Sequence, residues 1–389
     1  MIQVQDLSQP IFTMLPTIST IPLRHMASGD VLSLQVYKFI GAQPGKKVYI
    51  QSNLHGAEIA GNAVIYQLIE FLQTINETDL SGEIWLVPVC NPISTNVRSH
   101  VFSSGRFCSY EGKDWNRIFW DYEKHADDLL AFAKSQINFE LEVVRKNYLS
   151  QIQEKFAQIL EKINSSSGVP YTERFSYRLQ SLCLDADYLI DLHSHTNQGL
   201  NYLYLFPNRE ESAKHFLLEF GIQFDFCDED GFDKAFIQPW LALEQYFKQL
   251  GREIRFDIEA WTLELGTGMQ MNPDSVKKGL RGVKNYLAHK GVLRISGFPL
   301  KESASYEMSL KPRSQMKRYY APTGGMIQSR VELGSSVKAG ERLYQILNFN
   351  KEGKLPTVID VSAEQDGLVY DISANQAVNE GELVLGIIE

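Results

Sequence analysis

The residues best placed to do chemistry are His55 and Glu58, in the run Asn53-Leu54-His55-Gly56-Ala57-Glu58, and His193, in Asp191-Leu192-His193. Catalytic zinc typically takes three protein ligands and leaves one position for water, and two histidines with one glutamate form one such set. The spacing His-x-x-Glu lets both side chains converge on one ion from a loop that leads into a helix. Taken alone it is a weak signal, since a loop histidine beside a glutamate at the positive end of a helix dipole is an ordinary surface arrangement. Four other features shift the balance. Asp191-Leu192-His193 ends an apolar run, with Asp191 two positions away on the same side of the pleat. Asp114-Trp115-Asn116-Arg117 offers an amide and a guanidinium suited to a carboxylate. Asn91-Pro92 closes another run and turns the chain. Thr262-Leu263-Glu264-Leu265-Gly266 places a carboxylate at the end of an apolar segment, where burying it unpaired would be costly. His195 shares an alternating face with His193 and is open both as a substitute ligand and as a proton donor beside the metal.

The elements that must position these residues read as alternating strands and helices. Val31–Ile40 and Lys47–Gln51 have β-rich composition, with Pro44-Gly45 marking a turn between them. Ala60–Thr74 shows helical spacing through Val64, Ile65, Leu68, Leu72 and Ile75, and Glu83–Val89 is the next strand. This order predicts a mixed, mostly parallel α/β sheet covered by helices, with ligands beyond the carboxyl ends of the strands. His55 and Glu58 fall at such an end. Asp121 to Lys162 reads as helical, and a short helix follows over Thr172–Leu184; this insertion near 121–184 suits a lid, a partner surface or a structural addition. Tyr188–His193, Asn201–Phe206 and Ile254–Leu265 read as further strands.

The C-terminal part contains an internal repeat. Gly325-Met326-Ile327 leads to Val337-Lys338-Ala339-Gly340-Glu341, and Gly367-Leu368-Val369 leads to Val378-Asn379-Glu380-Gly381-Glu382. The two halves resemble those of the all-β barrel-sandwich fold of biotinyl and lipoyl carriers. The connection Asn348–Lys354 lacks the carriers' lysine hairpin motif, so a swinging-arm function is not expected. Residues 1–300 are expected to form the hydrolase domain and 301–389 the β domain.

With these motifs in their order, the sequence resembles the succinylglutamate desuccinylase/aspartoacylase family, a branch of the zinc carboxypeptidase-like fold. The matching elements are His55–Glu58, Asn91-Pro92, Asp114–Arg117, Asp191–His193 and Glu264–Gly266, with tryptophan at 115 where the family has leucine. The resemblance implies one Zn2+ per chain on His55, Glu58 and His193, with Glu264 as general base and acid. It implies that Asn116 and Arg117 bind the substrate's carboxylate and that Asp191 orients a ligand histidine, expected to be His55. A carbonyl-polarising arginine is also implied. Arg106, ten residues before Asn116, is favoured over Arg98, which lies nearer Asn91-Pro92. The expected substrate is a small amide bearing a carboxylate, such as an N-acyl amino acid. A carboxypeptidase acting on a peptide or cell-wall fragment is the alternative, and a non-catalytic zinc or ligand-binding protein a more distant one.

Composition narrows the partners. The 389 residues carry a net charge of −9, which argues against general nucleic-acid binding. No run of apolar residues suggests a membrane span, and the first sixteen residues lack a secretory pattern, so a cytoplasmic location is expected. Cys90, Cys108, Cys183 and Cys227 have no CxxC spacing and are expected to be ordinary reduced thiols. The sequence leaves room for a homo-oligomer.

Overall fold

The computed structural model describes residues 13–100, 103–125, 128–224, 230–349, 351 and 353–389. Among them, nine strands form one large sheet. Their spatial order is Thr17–His25, Val31–Ile40, Ser81–Val87, Gln43–Ser52, Tyr188–His195, Glu259–Thr267, Asn201–Leu205, Phe220–Gln223 and Ser309–Pro312. The four central strands, from Ser81–Val87 to Glu259–Thr267, are mutually parallel, whereas Asn201–Leu205 runs antiparallel to its neighbour Glu259–Thr267. The sheet is therefore mixed and largely parallel, as its apolar central strands require: Leu189, Ile190 and Leu192 are all fully buried.

Alternation along each strand feeds two cores. Val48, Ile50, Ile84, Ile190 and Leu263 face one side, packed against Val64, Ile65 and Leu68 of helix Ala60–Thr74 and Val283 and Tyr286 of helix Pro273–His289. Tyr49, Leu189 and Ala260 face the other, under helices Tyr171–Gln180 and Phe232–Gln249. Helix Ala60–Thr74 has the range expected from its spacing. Pro44-Gly45 does not form the expected turn. Both residues lie inside strand Gln43–Ser52, in a stretch where the pairing slips between Gln43 and Lys47, and Gly41 carries the reversal by bonding Gly82.

Within Asp121–Lys162 the insertion forms two helices rather than one helical stretch, before the short helix Tyr171–Gln180. Asp128 caps Leu129–Gln136 by accepting from the Ala131 amide, and Arg252 closes its far end by donating to the Gln136 and Ile137 carbonyls. The chain then restarts as Leu141–Ile163, and both helices pack on Trp240, Leu243 and Phe247 in a third core.

Ser309–Pro312 lies beyond residue 300 yet completes the large sheet. From Met316 onward the chain builds two antiparallel sheets around Leu343, Ile346, Val369, Val384 and Leu385. The repeat is visible in their backbone: Gly340 and Gly381, the corner glycines of the two halves, have φ of 83° and 82°. Gln198-Gly199, just after the strand that carries His193, pairs with Asp371-Ile372 and joins one small sheet to the site. Among the described residues no helix is long and apolar enough to cross a membrane. Cys90, Cys108 and Cys183 are buried free thiols, and Cys227 lies outside the described residues.

Candidate metal centre and active site

His55 and Glu58 sit on the loop between strand Gln43–Ser52 and helix Ala60–Thr74. Asn53 opens the loop in a left-handed conformation, φ 68°, and its side-chain amide donates to the carbonyls of His55, Gly56 and Glu58. Asn91 holds the loop from outside by donating to the Leu54 carbonyl, while its own oxygen caps helix Pro92–Asn96. That explains the Asn91-Pro92 motif in physical terms. Gly56 passes so close to this helix that a β-carbon would stand 2.1 Å from the Ser94 carbonyl oxygen.

His193 reaches the same point from strand Tyr188–His195. Ligand atoms of His55, Glu58 and His193 all lie within 4.8 Å of one another, and the three residues are buried. His55 Nδ1 is 2.8 Å from Glu58 Oε1, and His193 Nδ1 is 2.6 Å from Glu58 Oε2. The far nitrogen of each ring meets a different carboxylate: His55 Nε2 is 3.1 Å from Asp114 and His193 Nε2 is 2.9 Å from Asp191. Asp191 thus meets His193, where the resemblance implied His55. The pleat explains this, because residues two apart on one strand face the same side. Asp191 is itself held by Gln51, whose amide oxygen accepts from the Tyr49 hydroxyl.

This donor set fits a cation. With the Nε2 protons directed at Asp114 and Asp191, both Nδ1 lone pairs and the Glu58 carboxylate face one another, which is how ligand histidines are held by outer carboxylates. Three carboxylates around two imidazoles, those of Glu58 and Asp191 buried and that of Asp114 partly so, leave an excess of negative charge. Burial works against the charged form of each histidine, but the carboxylates outweigh it. His55 is raised by Glu58 and Asp114, and His193 is raised well above its ordinary value by Asp191 and Glu58. Burial likewise opposes ionisation of Glu58 and Asp114, yet the histidines push Glu58 below the usual carboxylate range and bring Asp114 down to about 2.

The centre opens into a cleft of about 620 Å³, also lined by Arg106, Asn116, Arg117, His195 and Glu264. Arg106 Nε is 2.9 Å from the second oxygen of Asp114, so one carboxylate ties the arginine to a histidine of the centre. Arg98 is outside the cleft, its guanidinium spent on the carbonyls of Thr95 and Val97. Asn116 accepts from the Phe232 amide through its oxygen, which leaves its NH2 as the donor on offer. Glu264 lies inside strand Glu259–Thr267, three residues before its end, with Oε2 sealed from solvent and without a hydrogen-bond partner. Burial raises its pKa, the Glu58 charge adds to this, and the nearby histidines oppose it. His195 stands in the cleft but outside the three-residue cluster.

Sequence reasoning missed two groups of residues. Asp114 has no assigned role in the sequence beyond its motif; its place two residues before Asn116 is the available signal. Asp233, which accepts from Thr262, and Arg313, Arg318, Tyr370 and Asp371, from beyond the large sheet's central strands, also line the cleft. The last four carry no local signal, because their presence depends on how the C-terminal sheets dock.

Comparison with known proteins agrees with this geometry. No curated protein matches the chain in sequence. Among solved structures, it is similar to a Shewanella frigidimarina protein assigned as succinylglutamate desuccinylase/aspartoacylase, with 27% identity, TM-score 0.86, and 96% of this chain and 97% of that one covered. A succinylglutamate desuccinylase/aspartoacylase family protein from Shewanella amazonensis gives 28%, 0.84, 96% and 98%. The ectoine utilization protein of Ruegeria pomeroyi, in a product-bound structure, shares the fold at 16% identity and TM-score 0.64, over 97% of this chain and 98% of that one. The model of the succinylglutamate desuccinylase/aspartoacylase catalytic domain matches residues 44–290, well over half of the chain. By that match, the protein belongs to the succinylglutamate desuccinylase/aspartoacylase family of deacylating hydrolases.

Proposed function

We propose that the chain is a zinc-dependent hydrolase that cleaves the amide bond of a small N-acyl amino acid. The observation that carries this reading is the buried His55–Glu58–His193 set sharing one cleft with an unpartnered Glu264 oxygen. His55, Glu58 and His193 would hold one zinc ion, leaving a position for water. When bound, the metal supplies Lewis acidity and lowers the pKa of water towards about 7.

The protein's own residues do the rest. Asn116, through its side-chain NH2, and Arg117 bind the carboxylate of the amino acid and set the scissile bond in the cleft. Glu264 accepts a proton from the attacking water and returns it to the leaving amine nitrogen, a task suited by its raised pKa. Arg106 donates to the oxyanion that develops on the scissile carbonyl, a contribution on the order of 3 kcal/mol for one well-placed donor. Asp114 and Asp191 keep the two imidazoles turned to the metal.

Elemental analysis and a substrate screen test this reading. Wild-type protein should carry one zinc per chain, and His193→Ala should lose it while His195→Ala keeps it. Zinc retained in His193→Ala but lost in His195→Ala would move the third ligand. Hydrolysis of N-acyl amino acids and not of peptides is expected. Peptide cleavage alone would make the chain a carboxypeptidase, and zinc binding with neither activity would make it a binding protein.

A further inference from the structure

The loop that carries Arg106, Asp114, Asn116 and Arg117 runs alongside helix Tyr171–Gln180, the last helix of the insertion, and touches it at three successive levels. At the first, Phe107 pairs with Asp114 across an exposed hairpin tip, yet Glu111 in that tip is drawn back onto the helix. Its two carboxylate oxygens accept from the Thr172 amide at 2.9 Å and the Thr172 hydroxyl at 2.6 Å, and Lys113 donates to the same hydroxyl at 3.2 Å. Pro170 precedes the helix and offers no side-chain cap, so Glu111 fills that role from 61 residues away.

At the second level the Trp115 ring, fully buried, meets Phe175 edge-on at 5.1 Å and Tyr171 at 6.1 Å. At the third, Gln180 accepts from the Trp120 amide at 2.9 Å and donates to the Trp120 carbonyl at 2.7 Å, pairing with the loop backbone as a strand would. Thr172, Phe175 and Gln180 are all buried, and they span about 12 Å of helix.

The side chains next to Trp115 do the opposite of what its ring does. Trp115 enters the core under the sheet, whereas Asp114 and Asn116, one residue to either side, line the cleft. Asp114 holds both His55 Nε2 and Arg106 Nε, and Asn116 accepts from the Phe232 amide. A shift of the Trp115 ring therefore displaces the partner of a ligand histidine, an arginine and an amide together. Its Nε1 has no hydrogen-bond partner, so the ring acts by shape alone. A misplacement of about 1 Å at a reacting centre can cost roughly 10²-fold in rate.

We propose that helix Tyr171–Gln180 braces the active-site loop, and that Trp115 is the positioning residue through which it does so, with Glu111 and Gln180 pinning the loop on either side. The insertion then belongs to the catalytic apparatus without touching substrate. Its effect on turnover rests on the reading that Asp114 turns His55 to zinc and that Arg106 and Asn116 meet an N-acyl amino acid.

The test compares the full chain with Trp115→Ala, Trp115→Phe and Glu111→Ala, using Leu72→Ala as a control. Leu72 is fully buried in the other core, at the far end of helix Ala60–Thr74 from the metal loop, so its truncation lowers stability without touching the brace. Hydrogen exchange of the metal-free proteins reads the loop through the Cys108 amide, bonded to Lys113, and the amide at 115, bonded to Arg106. Trp115→Ala should speed exchange there by about 10-fold or more beyond Leu72→Ala. It should also bind zinc about 10- to 100-fold more weakly and lose kcat by a similar factor. Trp115→Phe should recover most of all three, and Leu72→Ala should keep wild-type zinc affinity and kcat. Glu111→Ala changes a partly exposed residue and should shift exchange and zinc affinity the same way by about 3- to 10-fold. Wild-type exchange and zinc affinity in folded Trp115→Ala overturns the brace, as does the same result in Glu111→Ala if Trp115→Ala does not fold. An equal loss of zinc affinity in Leu72→Ala also overturns it. If the variants behave as expected but wild type hydrolyses no N-acyl amino acid, the functional reading fails and the brace stands.

Discussion

Replacing Asp191 with asparagine isolates one charge behind the metal centre. Asp191 is fully buried, accepting from Gln51 through one oxygen at 3.1 Å and facing His193 Nε2 through the other at 2.9 Å. In Asp191→Asn the new side-chain oxygen can still accept from His193, but its NH2 then meets the Gln51 NH2. A flip of the Gln51 amide removes that clash, and the Tyr49 hydroxyl can rotate from donor to acceptor to follow it. The fold should therefore survive, and what disappears is the negative charge that raises the basicity of His193. Outer partners of this kind typically contribute about 10- to 100-fold in metal affinity, or roughly 1.4 to 2.7 kcal/mol. Competition for zinc against a chromophoric chelator measures this directly, with thermal unfolding as a control. Asp114→Asn should weaken zinc by a similar factor through His55 and should lower kcat as well, because it also releases Arg106. Wild-type zinc affinity in Asp191→Asn would refute the reasoning.

Other consequences are as direct. Arg106→Ala should lower kcat by about 100-fold with zinc still bound, whereas Arg98→Ala should be nearly normal; steady-state kinetics on the two variants decides between them. Gly56→Ala drives a β-carbon into the Ser94 carbonyl and should destabilise the protein by about 1 to 3 kcal/mol, measured by chemical denaturation, with weaker zinc binding. His215 and His289 stack at 3.5 Å and 11°, and burial, reinforced by His289, holds His215 down at about 4. An unfolded histidine takes its proton near pH 6.5, so stability present above that pH is lost as pH falls towards 4. After discounting for partial exposure the loss is about 1 to 2 kcal/mol. His215→Phe, which keeps the stack, should show a smaller fall in Tm over that range than wild type.

The parts of this molecule written locally in the sequence were the parts that could be read. Helix Ala60–Thr74 is legible because Val64, Ile65, Leu68 and Leu72 recur at helical spacing and all enter one core. His55, Glu58 and His193 are legible because strand ends and short spacings limit where such residues can go. What could not be read depends on which elements become neighbours. The pairing of Asp191 with His193 belongs with the readable parts, since alternation along one strand already places them together, whereas Arg98 and Arg106 were separated only by the path of the loop between them. The break between helices Leu129–Gln136 and Leu141–Ile163 hinged on Arg252, more than a hundred residues away, closing a helix end. Arg318 and Asp371 reach the cleft only because Gln198-Gly199 pairs with the small sheet, and no pattern within either segment announces that pairing.

The central claim is that Glu264 transfers protons beside a zinc ion held by His55, Glu58 and His193. Glu264→Gln keeps the shape of the side chain and removes its ability to accept the water's proton. The decisive measurement is turnover per bound zinc, on wild type and Glu264→Gln prepared side by side with an N-acyl amino acid that wild type hydrolyses. The predicted result is equal zinc content and a kcat lower by about 10²- to 10⁴-fold in the variant. Normal turnover with zinc in place would contradict the mechanism, and loss of zinc would make Glu264 a ligand and require another base.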